Sequence, residues 1–371
     1  MDPGRRTGIH PLFSESHSAG PGICHAYADI AIAYFILDAL LTEKIFADSI
    51  NHYADKALLF DAQLAQSLIA KSFYYMNIGA YEKAVPHLEK ALEYNPNSAL
   101  VINTLSDFYA SYIPNTKKYL EYALRGVELD IAAHDSVEAS FILLHVSNAL
   151  IQSGFVDEAE KYIGLSLDHD PENLYAEQVK AYILYAKNKD LNQTKDLLIE
   201  TLERDLSRLD VMQEVGKIYY YQRDFERSWI YYKKFLEMKE AYDLDIYRSE
   251  DAKIAVVCAK LGMTEESEAL FDRYSLYAEN DKSIYKHLSL AVYNAYQGNS
   301  EKAIEEMRFF SQQENYHYWT FLFLKIDPLI DSMLDNPEFM ELLELVESKF
   351  WQQHEQIKLS LEEKGLIQIM D

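Results

Sequence analysis

The chain has 371 residues, enough for one large core or a long array of small units. Its 60 acidic and 35 basic residues leave a net charge of −25, which argues against nucleic-acid binding through a general electrostatic field. Cys24 and Cys258 lie too far apart in sequence to suggest a disulfide framework or a metal site, and no run of about 18 apolar residues exists to span a membrane.

Glycine and proline are scarce, at 12 and 9, while tyrosine is abundant at 29. Few chain breakers and many large amphipathic side chains suit packed helices. Residues 1–22 mix proline, glycine, serine and histidine without periodicity, and read as a disordered tail or appended remnant outside the fold. A first strong helix is expected from Cys24 to Leu41 and a second from Phe46 to Phe60.

The stretch 68–96, LIAKSFYYMNIGAYEKAVPHLEKALEYNP, organises the rest. Leu68, Ser72 and Tyr75 share one helical face. Gly79 follows, where a helix end needs a residue tolerant of the left-handed conformation. Ala84, Leu88, Ala91 and Leu92 then form one apolar stripe, and Asn95-Pro96 stops it. The signal recurs over 105–130, 139–171, 174–205, from Asp210 onward, over 248–275 and over 284–311. Gly79, Gly154, Gly262 and Gly298 are 75, 108 and 36 residues apart, near two, three and one times a unit of about 36. The turn of the 174–205 copy, KNKDLN, has no glycine. Gly216 stands where neighbouring helices must approach closely.

After Ser311 the pattern changes. Asp327-Pro328 and Asn336-Pro337 each pair a capping side chain with a proline, and a long helix is expected from Pro337 to Glu363. It should close the array with a polar outer face. The organisation expected is a tail (1–22), a solenoid (23–311) and C-terminal capping helices (312–371).

The tyrosine, glycine, alanine and proline offsets resemble the tetratricopeptide repeat. The resemblance implies an all-α, right-handed superhelix of seven to eight helix-turn-helix units. The phrases ALEYNPN, PNTKKYLEYALRGVELD and KIDPLIDSMLDNPEF also resemble the repeat region of bacterial adenylate/guanylate cyclase-like proteins and CadC-like transcriptional regulators. That resemblance implies a sensor, scaffold or oligomerisation region. The alternatives are the regulatory part of a nucleotide cyclase whose catalytic domain is absent here, and a free-standing adaptor. A cytoplasmic setting is expected, or a periplasmic one if the region belongs to a membrane-anchored regulator.

No catalytic motif is present, and no two histidines lie three or four residues apart. Neither catalysis, metal nor cofactor is expected. Paired carboxylates such as Glu265-Glu266 and Glu305-Glu306 read as solvated faces. The resemblance to the tetratricopeptide repeat implies that a set of first-helix side chains lines a concave groove: Phe73, Asn77, Asn103, Asn148, Gln152, Gln178, Tyr182, Tyr185, Gln213, Lys217, Tyr221 and Tyr296. Amides pair with peptide backbone, and tyrosines offer broad contact area. The expected partner is a protein or peptide segment, or another copy of the array, with no direct nucleic acid. Lys217 is the lone cation of the set, which disfavours a clamp for a terminal carboxylate.

Overall fold

The computed structural model describes residues 22–39, 41, 43–111, 113, 115–128 and 135–366. The tail expected over 1–22, apart from Gly22, lies outside them, as do His10, His17 and His134. The described residues form helices and connecting turns, with no sheet.

The chain divides between Thr104 and Leu105 into two compact units. In the first, α1 (Ile23–Ala39) packs against α2 (Ala47–Phe60) and α3 (Ala65–Asn77), and α3 packs against α4 (Tyr81–Tyr94). Small residues make this close: Ala28, Ala31, Ala54, Ala57, Ala84 and Ala91 are fully buried. The predicted α4 stripe of Ala84, Leu88, Ala91 and Leu92 is the buried face. Burying a leucine such as Leu88 contributes about 2 kcal/mol. The carboxylate of Asp38, at the end of α1, is also buried. It accepts from the backbone of Ile45 (2.8 Å) and Phe46 (3.2 Å), so it ties the long connection after α1 to the helix.

Helix α5 (Ala99–Ser111) crosses the division. The second unit continues in pairs: α6 (Thr116–Glu128) with α7 (Ser136–Gln152), then α8 (Val156–His169), α9 (Leu174–Asn188), α10 (Leu191–Arg204), α11 (Leu209–Tyr221) and α12 (Phe225–Ala241). A 3-10 turn (Arg248–Glu250) leads into α13 (Asp251–Lys260), followed by α14 (Thr264–Asn280), α15 (Lys286–Tyr296) and α16 (Ser300–Phe310). Within a pair the helices nearly touch. A Cβ on Gly216 would lie 3.1 Å from the Tyr232 ring, and the Ser228 hydroxyl donates to the Gly216 carbonyl at 2.8 Å. The same bond recurs from Ser267 to Ala255 (2.9 Å), and in the opposite sense from Ser147 of α7 to Ala159 of α8 (2.7 Å).

The four spaced glycines occupy equivalent places. Gly79, Gly154, Gly262 and Gly298 each lie two residues past the last residue of α3, α7, α13 and α15, at φ +69°, +88°, +79° and +77°. Each turn closes with the same backbone bond pair, as in Gly79 to Met76 (3.0 Å) and Ala80 to Tyr75 (2.8 Å). The repeat period is therefore a backbone fact.

The C-terminal segment comprises α17 (Tyr318–Phe323), 3-10 turns over Leu324–Ile326 and Pro328–Met333, and α18 (Pro337–Glu363). The Asp327 side chain accepts from the Leu329 amide at 2.9 Å and that of Asn336 from Phe339 at 3.1 Å, so both expected caps form. Helix α18 leans on α16, where Glu338 pairs with Arg308. It also reaches the start of the second unit: Gln353 donates to Thr116 (3.1 Å), His354 bonds the Ser153 carbonyl (2.8 Å) and Lys364 meets Glu121 (2.5 Å).

Candidate functional site on the inner face of the second unit

Helices α9, α11 and α13 stand in the same register and turn one face each toward residues 318–333. Six of the expected groove residues gather on this face: Gln178, Tyr182, Tyr185, Gln213, Lys217 and Tyr221. The face is covered. Phe323 lies parallel between Tyr185 (ring centroids 4.7 Å, planes 7° apart) and Tyr221 (5.1 Å, 10°). Trp319 meets Tyr182 edge-on at 5.6 Å. Tyr220, buried beside Tyr221, donates its hydroxyl to Asp327. Tyr185 and Tyr221 are consequently 3% and 6% exposed, covered by the chain's own C-terminal segment.

Below the aromatic layer lies a charged one. Glu214 accepts from Tyr182, from Gln213 (2.6 Å) and from Lys217 (2.6 Å). Glu250 accepts from Lys253 (3.1 Å) and Tyr232 (3.1 Å), with Lys217 at 3.9 Å. Burial alone would discharge such groups. For Lys217 burial pushes the pKa down, but Glu214 and Glu250 outweigh it and hold the ammonium above its usual range. For Glu250 burial pushes up, and Lys253 and Lys217 outweigh it, so the carboxylate is held below its usual range. Asp327 differs: burial dominates over Lys253 and the Tyr220 hydroxyl, and its pKa is raised. Burial, then neighbouring carboxylates, push Tyr182, Tyr220 and Tyr232 well above the ordinary tyrosine value, which fixes them as donors. The arrangement offers fixed donors, fixed charges and flat aromatic slots.

Gln178 accepts from Arg208 (2.9 Å), whose guanidinium also clasps Asp210 and lies 3.8 Å over the Tyr175 ring. Gln213 is 1% exposed, and its side-chain oxygen has no partner.

The remaining expected residues lie elsewhere. Phe73 stacks on Phe35 at 4.3 Å, and Asn77 donates to Asp38 at 2.8 Å, both within the first unit. Asn103 is half-buried on α5. Asn148 donates to the Tyr119 hydroxyl (3.3 Å), and Gln152 is buried at the end of α7. Tyr296 stacks on Phe271 of α14 at 4.9 Å.

Residues that the sequence reading passed over complete the site: Glu214, Glu250, Lys253, Asp327, Tyr220 and Tyr232. A signal for three of them was present. Glu214 and Lys217, then Glu250 and Lys253, repeat the same E-x-x-K spacing 36 residues later, one repeat unit on. A surface concavity in the first unit, lined by Asp61, Gln63, Leu64, Tyr94, Ser98 and Leu100 among others, includes none of the expected groove residues. Among the described residues, no three His, Cys, Asp or Glu side chains are grouped as metal ligands would be. No described helix is long and apolar enough to cross a membrane.

Residues 65–98 match the family model of the tetratricopeptide repeat. The fold is that of the tetratricopeptide-repeat solenoids. The chain is similar to a Rap protein solved in complex with Competence and Sporulation Factor, at 15% identity and TM-score 0.55, over 91% of this chain and 99% of that one. It is similar to yeast Tom70 at 16% identity and TM-score 0.50, over 96% and 69%. It is similar to a human IFIT1 dimer with m7Gppp-AAAA at 14% identity and TM-score 0.50, over 91% and 83%. Among curated protein sequences nothing matches the chain. Identities this low speak for the fold alone.

Proposed function

We propose that the chain is a non-catalytic tetratricopeptide-repeat module that holds a protein or peptide segment on the inner face of its array. Its setting would be the sensor, scaffold or oligomerisation region of a bacterial signalling or transcriptional regulator. One observation carries the reading: the face of α9 and α11 already holds a stretch of polypeptide, through inserted rings and the donated hydroxyl of Tyr220. Tyrosine and amide side chains supply the contact area and paired donors that peptide recognition uses. The Rap protein of similar fold, solved with Competence and Sporulation Factor, supports binding as the work of such an array. The regulator setting rests on the phrase KIDPLIDSMLDNPEF and its resemblance to repeat regions of that class.

Substituting Tyr182 and Lys217 together and comparing the partners captured from bacterial lysate tests the face. Loss of specific partners supports it; unchanged capture overturns it. A nucleotide cyclase assay on the chain should read zero, and turnover would overturn the non-catalytic assignment.

A further inference from the structure

The segment over the inner face carries information about what that face is built to bind. We propose that residues 318–327 are a displaceable internal ligand, and that the face they cover fits a peptide presenting two aromatic rings four residues apart, followed by an acid. This rests on the binding role proposed above and names its partner chemistry.

The first argument is the mode of attachment. The segment consists of a six-residue helix and a 3-10 turn, elements too short to be stable alone. On the inner face it is held by three insertions at four-residue intervals: Trp319 against Tyr182, Phe323 between Tyr185 and Tyr221, and Asp327 on Tyr220; Tyr318, Phe321 and Lys325 engage Phe350, Trp351 and Glu347 of α18 on its other side. Anchors at such intervals are the manner in which grooves read helical peptides.

The second argument is backbone strain. At the turn after α11, Arg223 occupies the place filled elsewhere by glycine, at φ +59°. Lys189 is likewise left-handed at the turn after α9, at φ +58°. A side chain in that region is strained, and glycine serves the turn without strain at Gly79, Gly262 and Gly298. Among the described residues five side chains adopt this conformation, Asp243 at the same turn position after α12 included, and two of them place a cation on the covering segment. Arg223 donates to the Ile326 carbonyl (2.8 Å) and pairs with Asp331 (2.7 Å), and Lys189 lies 5.8 Å over the Tyr318 ring. At these two turns the strained residue also holds the segment.

The third argument is what remains if the segment lifts. Lys217 stays paired with Glu214, Lys253 with Glu250, Tyr232 with Glu250 and Tyr182 with Glu214. Of the polar contacts to the inserted side chains, only that between Tyr220 and Asp327 parts. A permanent core layer would leave orphaned charges on uncovering; this face keeps its own partners. The flanks differ: Tyr316, Ile330 and Met333 are fully buried and anchor the segment at both ends.

The test uses the full chain. In native-state hydrogen exchange, amides of 318–327 are expected to exchange through an opening that leaves α9, α11 and α13 protected. A fluorescein-labelled peptide of residues 318–331 should bind Phe323→Ala at least tenfold more tightly than wild type, because its slot is vacated. If Phe323→Ala does not fold, Arg223→Gly serves, since it loosens the segment while relaxing the turn. Exchange of 318–327 only together with the whole array, or peptide binding equal or absent in wild type and variant, overturns the proposal. Loss of captured partners from the substituted chain with 318–327 closed would overturn displacement and leave binding standing, whereas an opening segment with unchanged capture would overturn binding at this face, so the two readings fail separately.

Discussion

The turn after α3 and the turn after α11 solve the same backbone problem with different residues. Gly79 and Arg223 both lie two residues past a helix end in the left-handed region, closed by the same bond pair. Gly79 has open space where a Cβ would stand. Arg223 instead carries a side chain onto the C-terminal segment. Gly154 is a third case, a glycine required for room, because a Cβ there would lie 3.2 Å from Phe350 and His354 of α18. Turn sequence in this array thus records what each turn faces as well as how the chain must bend.

The largest expected effect comes from emptying the covered face. Phe323→Ala should lower unfolding free energy by about 3–5 kcal/mol, the usual result of removing a buried phenylalanine. Phe73→Ala in the first unit, at a half-buried ring, should lower it by less than half as much. Chemical denaturation of both variants checks this, and equal losses would dissolve the distinction between covered and open faces.

Acid should act where the segment enters. Burial holds His317 down to about 4 from the ordinary 6.5, so the folded chain favours its neutral form. The stability it contributes is present above about pH 6.5 and is lost as pH falls toward 4, by up to about 3 kcal/mol. His317→Phe should flatten that part of the stability profile. An unchanged slope would show that carboxylates alone set it.

A smaller effect separates the turns themselves. Gly154→Ala combines left-handed strain with crowding against Phe350 and should lose about 2–4 kcal/mol, whereas Gly262→Ala, in open space, should lose about 1. Matching losses would mean that α18 yields freely at Gly154. The smallest effect is Lys189→Gly. Relief of the turn, about 1 kcal/mol, is offset in part by the lost contact over Tyr318, for a net gain of a few tenths. A loss above about 1 kcal/mol in the same melts would assign the lysine a larger hold on the segment.

The repeats were legible because their signals are local. Gly79, Gly154, Gly262 and Gly298 answer to φ, and Ala84, Leu88 and Ala91 to helical period, each readable in a short window. The covered face was not, because its cover arrives from far along the chain: Tyr220 and Asp327 are 107 residues apart. The charges beneath were passed over for a different reason. A carboxylate reads as solvated unless its partner is seen, and Glu250 is paired both by Lys253 three residues on and by Tyr232 eighteen residues before. Tyr296 joined the groove set on register alone, and the neighbouring Phe271 engages it.

Helix α18 has a mechanical consequence. Its 27 residues span about 40 Å, joined near one end to Arg308 and near the other to Thr116, Ser153 and Glu121. A stack of helix pairs joined only to its neighbours stretches like a spring. A stiff rod tied between distant coils acts as a bowstring, fixing the curvature and suppressing the breathing of the stack. Pulling on the second unit should therefore meet an early, stiff resistance, and yield as a soft coil only after the rod's far-end ties have parted.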